Sequence, residues 1–95
     1  MPYISPEGRD KYSSLVRKIQ NSEIDQAGDL NYLITIMVDH YLDHYGLNYA
    51  SINRVIGVLE CAKLELYRRI AAPYEDSKIS TNGDVFTINT GENNK

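Results

Sequence analysis

Apolar residues recur along the chain in three blocks of helical period. Tyr12, Leu15, Val16 and Ile19 follow one another at i, i+3, i+4 and i+7, which predicts a first helix with one buried face. Ser5 is placed to cap it, Pro6 suits its first position, and Glu7 favours its positive end. Residues 20–29 read as a loop. Asp29 is then expected to cap a second helix, with Leu30, Leu33, Ile34, Met37, Val38, Tyr41 and Tyr45 on one broad face and Gly46 as its stop. The third block is the longest. Ile52, Val55, Ile56, Leu59, Ala62, Leu66 and Ile70 form a stripe that predicts a helix from about Tyr49, capped by Asn48, to Ala72. Pro73 is expected to end it.

The short Gly46–Leu47 connection makes the second and third helices neighbours. Beyond them, Asn82–Gly83 between β-prone runs in KISTNGDVFTI (78–88) predicts a hairpin-like tail, which must lean on the helices or on another chain. NTGENNK (89–95) reads as disordered. The expected fold is therefore all-α. A three-helix domain covers residues 1–76, a short turn or hairpin 77–88, and a disordered end the rest. LNY occurs twice, in DLNYLITIMVDHYL (29–42) and GLNYASINRVIGVL (46–59); both helices are read as beginning with the same Leu-Asn-Tyr device.

One residue breaks the third stripe. On a helical wheel Lys63 falls at roughly 20° from Ile52, among the apolar positions. A buried ammonium needs a partner. Glu60, three residues earlier, can supply one, and Tyr67, four residues later, lies on the same edge. The alternative is that Lys63 lines a cavity and meets an anionic ligand. A second strip on this helix, Gly57, Cys61 and Leu64 between Arg54 and Arg68, predicts contact from a second side. With only three helices available, that contact points to another subunit in a homo-oligomer, a symmetric dimer before anything larger.

Composition narrows the function. The net charge of −3 argues against general nucleic-acid binding. The start MPYISPEGR lacks the pattern of a signal peptide, and no apolar run reaches the length of a membrane span, so a cytoplasmic protein is expected. The single Cys61 rules out an internal disulfide and reads as a small buried apolar residue. Eight tyrosines against one phenylalanine and no tryptophan suit interfaces and wet pockets.

Catalytic patterns are incomplete. His40 and His44 have the i, i+4 spacing of a zinc helix, but Tyr41 stands where the general base would be and no third ligand is evident. Glu60 and Glu65, five apart, do not form the repeated carboxylate pairs of an all-α Mg²⁺-dependent pyrophosphohydrolase. The reading is a protein without turnover, metal or cofactor. The candidate ligand-binding residues are Lys63, Arg68 and Arg69 for charge, Tyr67 and Tyr74 for stacking or hydroxyl contacts, Glu60 to orient Lys63, and Arg54.

MPYI at the start, LNY at 30–32, INRVIGVLECAKLELYRR at 52–69, PYEDSKI at 73–79 and NGDVF at 82–86 resemble a small helical family of tailed phages and prophages. Leu66 stands where members often carry Phe, and Phe86 where Tyr is usual. The resemblance implies an origin rather than an activity. Small oligomeric phage proteins that capture cyclic nucleotide messengers of antiviral defence hold them with Arg, Lys and Tyr between subunits. By that analogy the expected function is sequestration of an anionic, nucleotide-like ligand, such as a defence messenger, as a sponge in the host cytoplasm. The alternative is an interaction protein that binds a host enzyme or phage component through its third helix and tail.

Overall fold

The structure is a computed structural model that describes residues 2–88. Among them all regular structure is helical: α1 (Pro6–Asp10), α2 (Ser13–Gln20), α3 (Ala27–Tyr45), α4 (Tyr49–Leu66), a π-helical turn (Tyr67–Ala71) and α5 (Ala72–Asn82). The chain divides into two compact units, Met1–Cys61 and Ala62–Lys95. The all-α expectation holds. The stretch 89–95, expected to be disordered, lies outside the described residues.

In the N-terminal unit, Ser5 caps α1 as expected, its Oγ accepting from the Gly8 N–H at 3.0 Å. The expected single first helix is instead broken at Lys11–Tyr12. There the Ser13 hydroxyl donates to the Asp10 carbonyl at 2.8 Å, the local competition with the helix ladder that serine favours. α3 starts earlier than expected. Asp29 is its third residue, and its Oδ2 accepts from the Gln26 N–H at 3.2 Å, so the carboxylate acts from inside the first turn. Gly46 stops α3 with φ 94°, a conformation that few residues with a Cβ adopt. Asn48 caps α4 as expected, its Oδ1 accepting from the Ser51 N–H at 2.9 Å. The repeated LNY is not a shared device, because Asn31 lies within α3 and its carbonyl, not its side chain, is engaged by Thr35. Tyr32 and Tyr49 are exposed.

The C-terminal unit departs most from expectation. Pro73 does not end the helix. α4 runs into the π turn, and the turn into α5, with helical dihedrals at Leu66, Ala71 and Ala72. A proline inside a regular α-helix lacks the N–H for its i−4 carbonyl and collides with it. Within the π turn the ladder shifts by one residue, the Ala72 N–H bonding the Tyr67 carbonyl, so the turn widens where the ring has to fit. The expected hairpin is likewise absent. Residues 78–82 belong to α5, and Asn82–Gly83 is a helix stop, with Gly83 at φ 91° and its N–H on the Ile79 carbonyl at 2.9 Å. An Asn-Gly pair serves a hairpin turn or a helix end for the same reason, tolerance of positive φ. After it, the Asp84 carboxylate accepts from the Phe86 N–H at 3.0 Å.

Among the described residues no hydrophobic side chain is buried, and the single fully buried residue is Ser51. The stripe that Lys63 interrupts is not covered: Ile56, Leu59, Leu66 and Ile70 are all exposed, and only Ile52 and Val55 are half-buried. Cys61 is also exposed, contrary to expectation. The periodicity was helical, as read, but the second surface that would cover it is not supplied by either unit.

Replacing Pro73 with alanine restores the missing donor and removes the ring. The variant is expected to gain about 1–3 kcal/mol of stability, read as a higher melting midpoint by circular dichroism at fixed protein concentration.

Candidate functional site

Each unit carries one organised set of polar side chains. In the N-terminal unit it sits at the α3–α4 turn. The Gly46 reversal and the Asn48 cap bring the end of α3 beside the start of α4. Arg54 then donates through Nε to the Tyr41 hydroxyl at 3.0 Å and through Nη2 to the Ser51 Oγ at 3.3 Å. Ser51 has 0% exposure, so its hydroxyl depends on this partner once water is excluded. Tyr41 stacks at 4.7 Å from Tyr45, which meets His44 edge-on at 4.5 Å. Arg54 is thus placed as a staple between two helices, a role the sequence did not suggest for it.

In the C-terminal unit Glu65 is the centre. Its side chain is 17% exposed and lies 3.3 Å from Arg68 Nη2 and 3.7 Å from Arg69 Nη1. Arg68 meets both carboxylate oxygens through a single nitrogen, so the planar fork of the guanidinium is not used on Glu65. The two arginines keep 72% and 55% exposure. One carboxylate thus gathers two guanidiniums that both remain open to water. Glu65, weighed in the sequence only as a metal-binding carboxylate, has the i+3 and i+4 spacing to the arginines that is the ordinary helical ion-pair signal.

Tyr67 and Glu75 pair next to this cluster, the hydroxyl donating to Oε1 at 3.3 Å. Eight residues apart on an undisturbed α-helix, the two side chains would be offset by roughly 80°. The extra residue accommodated by the π turn brings them nearly into line, so nothing in the linear spacing announces the pair. Lys78 Nζ lies 5.4 Å from the centre of the Tyr74 ring, within cation–π range. Lys63 and Glu60 are both exposed on α4, and neither lacks a partner.

The predicted residues therefore fall into separate local arrangements. Arg68 and Arg69 are joined, Tyr67 and Tyr74 are each engaged within α5 and its approach, and Arg54 belongs to the helix turn. No group of three or more His, Cys, Asp and Glu side chains among the described residues could hold a metal ion, the His40–His44 pair included. No helix among them is long and apolar enough to cross a membrane.

Open grooves occur among the described residues. One of about 730 Å³ is lined by the apolar face of α2, by Ile4 and by Met37 of α3. Another, of about 300 Å³, lies between α5 and Val85.

A family model described as Domain of unknown function (DUF6899) matches residues 1–85. No curated protein and no solved structure matches the chain.

Arg54→Ala is expected to cost about 1 kcal/mol, because it leaves the buried Ser51 hydroxyl and Tyr41 without their shared partner. Arg54→Lys should not restore it, since one ammonium cannot reproduce the forked contact. Chemical denaturation of the three proteins at one concentration reads the difference.

Proposed function

We propose that this chain, which belongs to the DUF6899 family, is an interaction protein without turnover that acts as an assembly of copies. One observation carries this reading: the helices have strong apolar faces, yet among the described residues none of those faces encloses a buried hydrophobic side chain. A folded chain of this size needs such burial to offset the conformational entropy lost on folding. Covering the exposed half of a Leu or Ile contributes about 1 kcal/mol, and α4 alone presents Ile56, Val58, Leu59, Leu64 and Leu66. The covering surface has to be present whenever the chain is made. A second copy always meets that condition. The exposed positions of α4, of α5 and of Val85, Phe86 and Ile88 are also suited to a helical surface of another protein. If the resemblance to phage proteins reflects descent, that protein is a host enzyme or a phage component.

The assembly reading predicts coupled folding and association. Over a hundredfold range of concentration the melting midpoint should rise by several degrees, and sedimentation equilibrium should give a mass above one chain. A single-chain mass with a concentration-independent, cooperative melt would refute it.

Glu65, Arg68 and Arg69 favour a second reading, capture of a small anion such as a cyclic nucleotide. The cluster presents two well-exposed guanidiniums side by side, which suit phosphate. Calorimetry against cyclic dinucleotides and cyclic ADP-ribose isomers tests it. Saturable binding should weaken at least tenfold in Arg68→Ala and strengthen in Glu65→Gln, which removes the competing carboxylate. Heat changes identical in all three proteins would dismiss the cluster as a binding site.

A further inference from the structure

We infer that the groove between α2 and α3 is a self-complementary interface, filled by the apolar face of α2 from a second copy of this chain. The inference rests on the assembly reading above and adds to it a surface to which α4 does not contribute.

α2 is short, strongly amphipathic and set off from its neighbours. It begins after the break at Lys11–Tyr12 and ends at Asn21 before the non-helical stretch that leads to α3. Its face of Tyr12, Leu15, Val16 and Ile19 lines the groove of about 730 Å³ together with Ile4 and Met37. These six side chains are each between 44% and 56% exposed. They are half covered by their own unit and half open, as expected of a face completed by a partner.

The area fits a pair. The exposed parts of the six side chains in two copies come to on the order of 1,100 Å², close to the apolar share, roughly 1,000 Å², of a standard interface. A single exposed patch of roughly 300–600 Å² is the usual upper size on a monomer, so each copy alone sits near that limit. Met37 adds a flexible side chain able to fit whatever enters.

Charge supports a second copy over an unrelated partner. The groove is bordered by Arg9, Arg17 and Asp10. Arg9 is held by the Ile4 carbonyl at 2.9 Å, which leaves Asp10 and Arg17 as the opposite charges available to face outward. A rim of one sign would repel its own copy. A rim with both signs allows a two-fold arrangement in which Asp10 of each chain faces Arg17 of the other.

The test uses the full chain with Cys61→Ser as background. Single cysteines are placed at Leu15, Val16 or Ile19 on the apolar face, and at Ser14 or Lys18 on the opposite face. Oxidation or a short bismaleimide should link two chains through at least one apolar-face position, and through neither control. Arg17→Asp and Asp10→Arg, neither of which touches an apolar contact, should each raise the dissociation constant fivefold or more. The double exchange should recover most of that loss. An oligomer by sedimentation that does not cross-link through α2 and is indifferent to the charge exchange would overturn this inference and leave the assembly reading standing. A single-chain mass for the unmodified protein would overturn both.

Discussion

Every other feature of this protein is conditioned by the exposure of its apolar helix faces. Hydrophobic burial is the largest favourable term in folding, and chain entropy of similar size opposes it. In ordinary domains of this length the two nearly cancel within one chain. Here the apolar stripes are present, with regular helical spacing, while no hydrophobic side chain among the described residues is buried. In the assembly proposed above, a second copy supplies the surface from which the favourable term comes. The backbone is arranged accordingly. Caps at Ser5 and Asn48, the Asp29 carboxylate in the first turn of α3, and glycines at the ends of α3 and α5 define the helices locally. They fix where each helix begins and ends and which residues share a face. They do not supply the second face.

The polar side chains fall into the same pattern of local closure. Arg54 joins two helices by binding a phenol and a buried hydroxyl. Glu65 gathers Arg68 and Arg69 from its own helix and the turn after it. Tyr67 reaches Glu75 across the π turn. All are near-neighbour interactions along one helix or one turn. At the exposures shown by Arg68 and Arg69 such ion pairs contribute little to stability, since water and salt screen them. Their effect is to hold side chains in place. Two arginines are thereby held beside one carboxylate at the start of the π turn.

How much of this was legible follows from the range over which each signal acts. Helix class, the Ser5 and Asn48 caps and the Gly46 stop depend on a few adjacent residues, and all were readable. The break at Lys11–Tyr12 depends on one serine hydroxyl choosing the Asp10 carbonyl, a choice that apolar spacing does not register. Pro73 misled because a proline normally ends a helix, whereas here a π turn absorbs it. That substitution also hid the Tyr67–Glu75 pair, whose spacing is meaningful only once the extra residue is counted. Asn82–Gly83 was ambiguous in principle: positive φ serves a hairpin and a helix end equally, and the helical reading of 72–82 had been closed off by Pro73. Cys61 was read as buried, and Lys63 as an intruder in a core-facing stripe, because their helix is amphipathic. Amphipathicity reports that a face is suited to burial, and says nothing of which chain covers it. Glu65 stands at i−3 and i−4 from the arginines, a legible ion-pair spacing that its five-residue distance from Glu60 does not reveal.

The π turn ties the two halves of this account together. Pro73 imposes it, yet the residues it displays are Tyr67, Arg68 and Arg69, three of those first selected for charge and ring chemistry. A π turn forfeits the tighter packing of an α-helix and persists when something nearby makes the alternative worse. In this chain the proline alone accounts for its presence, so the turn by itself is no evidence of a ligand. What it changes is phase. Side chains after Ala71 emerge about one residue's rotation, roughly 100°, from where an unbroken helix would place them. Tyr74, eight residues after Leu66, thereby comes nearly into line with it, whereas Ile79 lies roughly 120° away. The proline therefore keeps Tyr74 on the side of Leu66, where an unbroken α-helix would have turned it roughly 80° away.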